Sequence, residues 1–287
     1  MPQARANSRR VNSRPNSATP SLFDAPGAKA PVAPYVQQGY ARSRRLPLFS
    51  PSSREPFKLS RSKLDMFMQC ARCFYLDRRL GIAPPSGPVF TLNVAVDTLL
   101  KKEFDIHRAH GTQHPLLKTY GVDAVPLQHP DIDTWRTNFV GIQHLHVPTN
   151  FLVFGAVDDL WVNSKGQRHV VDYKATSKAG EVAELQDTKW HNQYRRQVEV
   201  YQWLLRQNGF TVSDTAYFVY VNGKKDRAAF DGKLEFDVRL IAHQGNGVWV
   251  DGALQAAHRC LVANELPVSA SDCDYCRYRA AAQGAER

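Results

Sequence analysis

The chain has 287 residues, of which 43% are hydrophobic and 22% charged, and its formal net charge at pH 7 is +10. These values are ordinary for one globular domain, and the five cysteines are too few for a disulfide framework in a chain of this length. No apolar run reaches the length of a membrane span, so we expect no membrane partner.

Residues 1–56 are predicted to form a disordered basic tail that is rich in proline and serine. Residues 1–54 carry nine Lys and Arg but one acid, a net charge of +8, whereas the other 233 residues carry only +2. Such a tail either adds non-specific phosphate contacts or has no defined role. Its composition also resembles an organelle transit peptide, which is the alternative to the cytoplasmic location that we expect. Residues 57–287 are predicted to be one globular domain.

Two helices are predicted to open this domain. Apolar residues recur at helical spacing over 61–79, where Cys70 and Cys73 would be i, i+3 neighbours. A proline-containing loop then leads to a second helix over 91–108. Residues 109–135 show no clear pattern and are predicted to be irregular.

Three strands are predicted to follow, over 138–147, 151–163 and 168–176. The link Asn163–Gln167 is short, polar and contains glycine, so it predicts a hairpin turn and antiparallel pairing of the last two strands. A helix over 187–208 comes next. The remaining predicted elements are a strand in the sheet centre over 213–222, an edge strand over 234–239 and a helix over 246–263.

The two paired strands each deliver a carboxylate to the same region. Successive strand residues point to opposite faces, so Asp172 and Lys174 share a face and Tyr173 points away. Asp158 would approach Asp172, with Asp159 as its rival, because only one of two adjacent strand residues can face a given site. Mg²⁺ prefers carboxylate and phosphate oxygens, and a nearby lysine steadies the phosphate charge. The pattern predicts a metal site that acts on a phosphate, with a plain cross-strand salt bridge as the alternative.

Side chains of the helix over 187–208 complete the candidate site. Gln197 and Tyr201 have the spacing i, i+4 and therefore lie on one helical face. Basic residues that can contact phosphate, and an aromatic residue that can stack on an unpaired base, lie on this helix and before it. The candidate nucleic-acid contacts are Lys178, Lys189, Trp190, Arg195 and Arg196.

The order of these motifs is more specific than any one of them. Gly-x-x-Asp on a strand, a turn, an apolar strand ending in Asp-x-Lys and a helix with Gln-x-x-x-Tyr resemble the PD-(D/E)XK nuclease superfamily. The chain is similar to the branch with RecB-type nuclease domains and the CRISPR-associated exonucleases that carry cysteine clusters, over roughly residues 57–280. The resemblance implies an α/β fold of mixed α+β type, in which helices flank a central mixed sheet. Its restriction-endonuclease-like core would have α-β-β-β-α-β order.

The resemblance also implies a role for each site residue. Asp158, Asp172 and the backbone carbonyl of Tyr173 would hold Mg²⁺ or Mn²⁺. Lys174 would position or activate the attacking water, and the Gln-x-x-x-Tyr pair would brace the site and approach the substrate backbone. Members of this branch carry a histidine on an earlier helix, and Asp97 occupies that position here. Asp97 is either a further metal ligand or an exposed residue of an amphipathic helix.

Four of the five cysteines form two C-x-x-C pairs, and such pairs can supply four thiolates to one metal or cluster. The resembling nucleases hold a [4Fe–4S] cluster with one early and three late cysteines, but residues 280–282 of this chain are alanine where the last cysteine is expected. Cys73 would replace it, with Cys260 as a weaker candidate, so iron–sulfur, zinc and thiols without metal all stay open. The predicted ligands are Cys70, Cys73, Cys273 and Cys276.

The sequence therefore favours a metal-dependent nuclease that hydrolyses DNA phosphodiester bonds in repair, recombination or defence. A helicase or a repair or defence complex is its candidate partner. The alternatives are a catalytically inactive nucleic-acid-binding module of the same fold and an interaction module that its cysteine-bound metal stabilises.

Overall fold

Two sheets flanked by helices form the fold in the computed structural model, which describes residues 47–85, 87 and 90–287. The predicted tail up to residue 46 lies outside the described residues. The strands are β1 (Phe57–Ser60), β2 (Val125–Pro126), β3 (Ile142–His146), β4 (Phe151–Gly155), β5 (Asp159–Val162), β6 (Arg168–Thr176), β7 (Thr215–Gly223) and β8 (Phe236–Gln244). The helices are α1 (Arg61–Gln69), α2 (Ala71–Arg78), α3 (Thr91–His110), α4 (Pro115–Thr119), α5 (Ile132–Arg136), α6 (Lys189–Gln207), α7 (Val250–Val262) and α8 (Asp274–Ala285).

The five-stranded sheet contains the predicted hairpin. Its strand order is β2-β5-β6-β7-β8, with β5 and β6 antiparallel and β6 and β7 parallel. Gly166 lies in the turn between β5 and β6 with a φ of 73°, a left-handed conformation that glycine adopts without strain. Helix α6 connects β6 to β7, because parallel neighbours need a long crossover. The antiparallel hairpin is confirmed, and β8 is an edge strand as predicted, although it extends to Gln244.

Helices cover both faces of this sheet. On one face, Phe104 of α3 stacks on Trp161 of β5 and Tyr173 of β6. On the other face, α6 buries residues such as Val198 and Leu205 in the larger core cluster. The fold is therefore mixed α/β with flanking helices, as predicted, but its strands form two sheets and not one.

The single strand predicted over 151–163 is wrong, because this stretch forms two strands in different sheets. β4 lies between β1 and β3 in the three-stranded sheet, whereas β5 pairs with β6. The chain crosses between the sheets at residues 156–158, where the Val157 N–H donates to the carbonyl of Trp135 at 3.1 Å. Both halves are apolar and buried, so their composition shows no boundary.

The single helix predicted over 61–79 is also wrong. Cys70 has an extended backbone, with φ −161° and ψ 107°, and it separates α1 from α2. Cys70 and Cys73 are therefore not neighbours within one helix. The stretch over 109–135, predicted to be irregular, contains α4, β2 and α5.

Contacts with the globular domain begin before residue 57. Phe49 is buried, and its ring makes edge contacts with Phe57 and Phe151. Phe49, which the sequence assigns to the tail, thus packs on the domain, whereas the other residues of 47–56 are exposed. No helix of the described part combines the length and apolar character that would let it cross a bilayer.

Candidate active site

The end of β6 presents a buried carboxylate beside a lysine. Asp172 and Lys174 lie on the α6 face, and the Lys174 ammonium forms an ion pair with Oδ2 of Asp172. The Asp172 side chain is fully buried, and its Oδ1 has no hydrogen-bond partner among the residues that the structure describes. Burial raises the pKa of Asp172 to about 7 against the opposing effect of Lys174. A buried carboxylate oxygen without a partner is costly and is open to a cation.

Asp158 lies beside this group, in the connection between β4 and β5 and not on a strand. Its Oδ2 accepts a hydrogen bond of 3.0 Å from the backbone N–H of Tyr173. The N–H and C=O of one strand residue point to the same side, so the Tyr173 carbonyl also points toward Asp158. Because Tyr173 directly follows Asp172, this hydrogen bond places Asp158 close to Asp172, and the Asp158 charge contributes to the raised pKa of Asp172.

Asp159 points to the opposite side and is fully paired. Its carboxylate contacts the guanidinium groups of Arg108 and Arg136, the latter at 3.0 Å. The Tyr173 hydroxyl donates to its Oδ2 at 2.8 Å. Arg136 also donates to the backbone carbonyl of Asp158 at 3.1 Å. Asp159 is thus part of a buried charge network that supports the site from the α3 face, and Asp158 is the residue that faces the site.

Helix α3 adds a carboxylate and a second lysine. The Lys101 ammonium lies 2.9 Å from Oδ2 of Asp97 and 3.6 Å from Oδ1 of Asp158. Burial and the Asp158 charge raise the pKa of Asp97, although Lys101 acts in the opposite direction. Asp97 therefore lies at the edge of the site and is half-buried, not a freely exposed residue of the helix.

Side chains of helix α6 hold the Lys174 side chain in place. The Lys174 ammonium lies 3.4 Å from Oε1 of Gln197 and 4.7 Å from the centre of the Tyr194 ring. Gln197 in turn donates to the Tyr201 hydroxyl at 3.3 Å. Gly155 makes room for this ring, because a Cβ there would lie 2.5 Å from Cε1 of Tyr201. Glycine at the end of β4 therefore lets α6 approach the site.

The candidate nucleic-acid contacts divide into paired and exposed residues. Arg196 forms an ion pair of 2.7 Å with the buried Asp65, and Arg195 donates to the carbonyls of the loop before α6. Lys178 is exposed, although its ammonium lies 3.2 Å from a ring nitrogen of His191. Trp190 is 69% exposed. The side chain of Lys189 beside it is 43% exposed and also forms an ion pair of 3.5 Å with Asp272.

Two concave surfaces meet along α1 and α6. The first, of about 370 Å³, is lined by Asp158, Gln197 and Tyr201, together with residues at the start of α1. The second, of about 480 Å³, is lined by Trp190 and by three of the paired cysteines. Ser62 lines both, so the surfaces adjoin. They lead from Asp158 to the exposed Trp190.

The four paired cysteines come together at the other end of α1, as the sequence predicts. Their sulfur atoms all lie within 4.8 Å of one another, and none forms a disulfide. The separation is 3.5 Å for Cys73 and Cys273, 3.6 Å for Cys73 and Cys276, and 3.9 Å for Cys70 and Cys276. The set therefore fits a metal site, which we call the tetra-cysteine site.

The environment of this site favours a thiolate at Cys70. Burial opposes it, but hydrogen bonds from the backbone at Ala270 and Cys73 lower the pKa of the Cys70 thiol to about 7. Burial raises the pKa of the Cys276 thiol to about 11 and also raises the pKa of the Cys73 thiol. Cys260 lies apart, 3.8 Å from the carbonyl of Ala71, and burial raises the pKa of its thiol to about 11. Its sulfur atom is outside the group of four that lie within 4.8 Å of one another, so the weaker candidate Cys260 is not a member of the tetra-cysteine site.

Sequence reasoning missed two side chains of the site, Lys101 and Tyr194. The i, i+4 spacing of Asp97 and Lys101 is a visible signal, but such pairs are common on solvated helix faces. Tyr194 precedes Gln197 by one helical turn and gives no signal of its own. Its role depends on how α6 crosses β6.

Comparison with known proteins identifies a family for this chain. The family model of the PD-(D/E)XK nuclease superfamily matches residues 127–281, more than half of the chain. No curated protein matches the chain significantly. The matched region contains Asp158, Asp172, Lys174 and α6, but it begins after α3 and the first cysteine pair.

Proposed function

Because the chain belongs to the PD-(D/E)XK nuclease superfamily, we propose that it is a metal-dependent nuclease that hydrolyses DNA phosphodiester bonds at the end of β6. One observation carries the proposal. Among the residues that the structure describes, none donates to Oδ1 of the buried Asp172, which lies next to Lys174 and within electrostatic range of Asp158. A salt bridge alone would not require that oxygen to be buried and unpaired.

The residues present fit a hard divalent cation. Asp158, Asp172 and the carbonyl of Tyr173 offer only oxygen ligands, which suits Mg²⁺ or Mn²⁺. When bound, such a cation supplies Lewis acidity toward a phosphate oxygen. The buried network around Asp159 holds the Asp158 backbone and the Tyr173 side chain, so the ligands are positioned before any cation arrives.

Lys174 brings a fixed positive charge to the reacting phosphate. The contacts with Gln197 and Tyr194 limit the motion of its ammonium, which is then available to orient the attacking water and to stabilise charge on the phosphate. Tyr201 holds Gln197 in place and lines the adjoining concave surface. The pair on α6 thus braces Lys174 and borders the path of the substrate strand.

The substrate strand would follow the two adjoining surfaces from Asp158 to Trp190. An exposed indole can stack on an unpaired base, and Lys178 and Lys189 can contact phosphates. Arg195 and Arg196 support α6 and the loop before it through their contacts within the chain. We propose DNA as the substrate, a cytoplasmic setting, and a helicase or a repair or defence complex as the partner.

We propose that the tetra-cysteine site holds zinc. In a tetrahedral site with Zn–S distances of about 2.3 Å, the sulfur atoms lie about 3.8 Å apart. Three of the six separations, at 3.5, 3.6 and 3.9 Å, agree with this value, and all six are at most 4.8 Å. A [4Fe–4S] cluster binds each thiolate to a different iron and needs the sulfur atoms further apart. The ion would join α2 to the start of α8, about 200 residues later in the chain.

The test compares cleavage by the parent protein with cleavage by Lys174→Met and by Lys165→Met, whose exposed lysine lies in the β5–β6 turn. We expect the parent and Lys165→Met to cleave DNA only when Mg²⁺ or Mn²⁺ is added. Lys174→Met should be slower by about 100-fold or more, as is typical when a charge-stabilising donor is removed. Equal rates for all three proteins would contradict the mechanism. An inactive parent protein would support the non-catalytic binding module.

A further inference from the structure

Lys101 lies between two of the site carboxylates, although it is distant in sequence from the metal-binding motifs. Its ammonium is within 4 Å of both Asp97 and Asp158. The side chain is only 25% exposed, so this is not a solvated surface pair. Lys101 comes from α3, whereas Lys174 comes from β6, and the two ammonium groups therefore approach the site from different elements.

The contacts of Asp158 show which position remains open to a metal. One of its oxygens accepts the N–H of Tyr173, and the other faces Lys101. A carboxylate has about four acceptor positions, so Asp158 can still bind a cation on the side of Asp172. The position between Asp97 and Asp158 already holds the Lys101 ammonium.

We propose that the Lys101 ammonium takes the place of a second metal ion, an inference that rests on the proposed function. The site then binds one divalent cation, at Asp158 and Asp172, and the Lys101 ammonium contacts the substrate phosphate. Asp97 is a positioning residue that holds Lys101 and is not a metal ligand. A fixed ammonium stabilises charge on a phosphate oxygen as the second ion of a two-metal site does.

The first test counts Mn²⁺ ions bound to the full chain, by calorimetry and electron paramagnetic resonance, without any substrate. The tetra-cysteine site is kept filled with its own metal, and its thiolates select softer ions than Mn²⁺. We expect one Mn²⁺ for the parent protein and for Lys102→Met, which changes the exposed neighbouring lysine. Lys101→Met should bind a second Mn²⁺ that uses the released Asp97. The double variant Asp97→Asn with Lys101→Met should return to one.

The affinity for the first Mn²⁺ gives an independent measure. Removal of a unit charge about 5 Å from a divalent ion should tighten binding by about tenfold, even at the dielectric constant of water. Two Mn²⁺ in the parent protein, or an unchanged number and affinity in Lys101→Met, would overturn the assignment. Should Lys101→Met fail to fold, Asp97→Asn answers the same question, because it keeps one Mn²⁺ if Asp97 is not a ligand and loses it if Asp97 is one.

Kinetics separate a phosphate contact from a purely structural role. At a Mn²⁺ concentration that fills the first site of Lys101→Met but not its second, kcat of this variant should fall by about 100-fold, and Lys101→Arg, which keeps the charge, should recover most of it. Equal loss in Lys101→Met and Lys101→Arg would indicate packing and overturn the proposal. Asp172→Asn reports on the proposed function separately. If Asp172→Asn binds Mn²⁺ with the affinity of the parent protein, the proposed metal site is wrong. If Asp172→Asn loses Mn²⁺ but the Lys101 variants bind Mn²⁺ and cleave DNA like the parent protein, only the assignment of Lys101 is wrong.

Discussion

The adjacent residues Asp158 and Asp159 should respond oppositely to the same substitution. Asp159→Asn removes the charge that two buried guanidinium groups share, those of Arg108 and Arg136, whose side chains are each 9% exposed. Both guanidinium groups also pair with Asp105, at 2.9 Å in each case, so neither loses its only carboxylate. The buried N–H groups that face residue 159 nevertheless lose a charged acceptor, which costs about 1.5–3 kcal/mol. We therefore expect the free energy of unfolding to fall by about 2 kcal/mol. For a domain of this size, the unfolding midpoint would then drop by roughly 4–8 °C.

Asp158→Asn changes a side chain that is 22% exposed and lies between Lys101 and the end of β6. Its loss leaves no fully buried charge unpaired, so the unfolding free energy should change by less than about 1 kcal/mol. Metal-dependent cleavage should nevertheless disappear, because a proposed ligand is lost.

The measurement is urea unfolding of both variants and the parent protein, combined with DNA cleavage in Mg²⁺. The expected pattern is a stable, inactive Asp158→Asn and a destabilised Asp159→Asn that retains cleavage below its unfolding midpoint. The reverse pattern, with Asp159→Asn stable and inactive, would show that the two residues have been given the wrong roles.

Three further outcomes follow from the packing. Gly155→Ala should lower the free energy of unfolding by about 1–3 kcal/mol, because the added Cβ overpacks against the Tyr201 ring. The loss should be smaller in a Tyr201→Leu background, and additive losses in the double-mutant cycle would contradict this contact. Gly252→Ala, where a Cβ meets open space within α7, should instead stabilise the protein by about 0.5–1 kcal/mol in the same unfolding experiment. Metal analysis of anaerobically purified protein should find one zinc and no iron, and a strong chelator should lower the unfolding midpoint. Cys260→Ser should leave the metal content unchanged. A brown protein that contains iron and sulfide would contradict the single-ion geometry.

Local patterns predicted the parts of the molecule that depend on sequence neighbours. The polar turn between β5 and β6 sets their antiparallel pairing, and the period of two places Asp172 and Lys174 on one face. The cysteine pairs were also predicted to meet, because four thiolates in two C-x-x-C units suit one metal.

Features that depend on tertiary packing were beyond the sequence. Nothing in the apolar run over 151–163 marks its division, because the strand before Gly155 and the strand after Asp158 are both buried. The sequence also left open which of Asp158 and Asp159 faces the site. The answer depends on two arginines, on α3 and α5, that pair with Asp159 from distant parts of the chain. The contact of Lys101 with Asp158 likewise requires α3 to lie over the end of β6.

The most direct test of the metal site is anomalous X-ray diffraction from crystals of the full protein that contain Mn²⁺. A hard ion of this kind binds carboxylate oxygens at about 2.1 Å. We predict one Mn²⁺ peak at that distance from a carboxylate oxygen of Asp158 and from Oδ1 of Asp172. A peak away from these two residues, or no peak in crystals of protein that cleaves DNA, would contradict the proposed site.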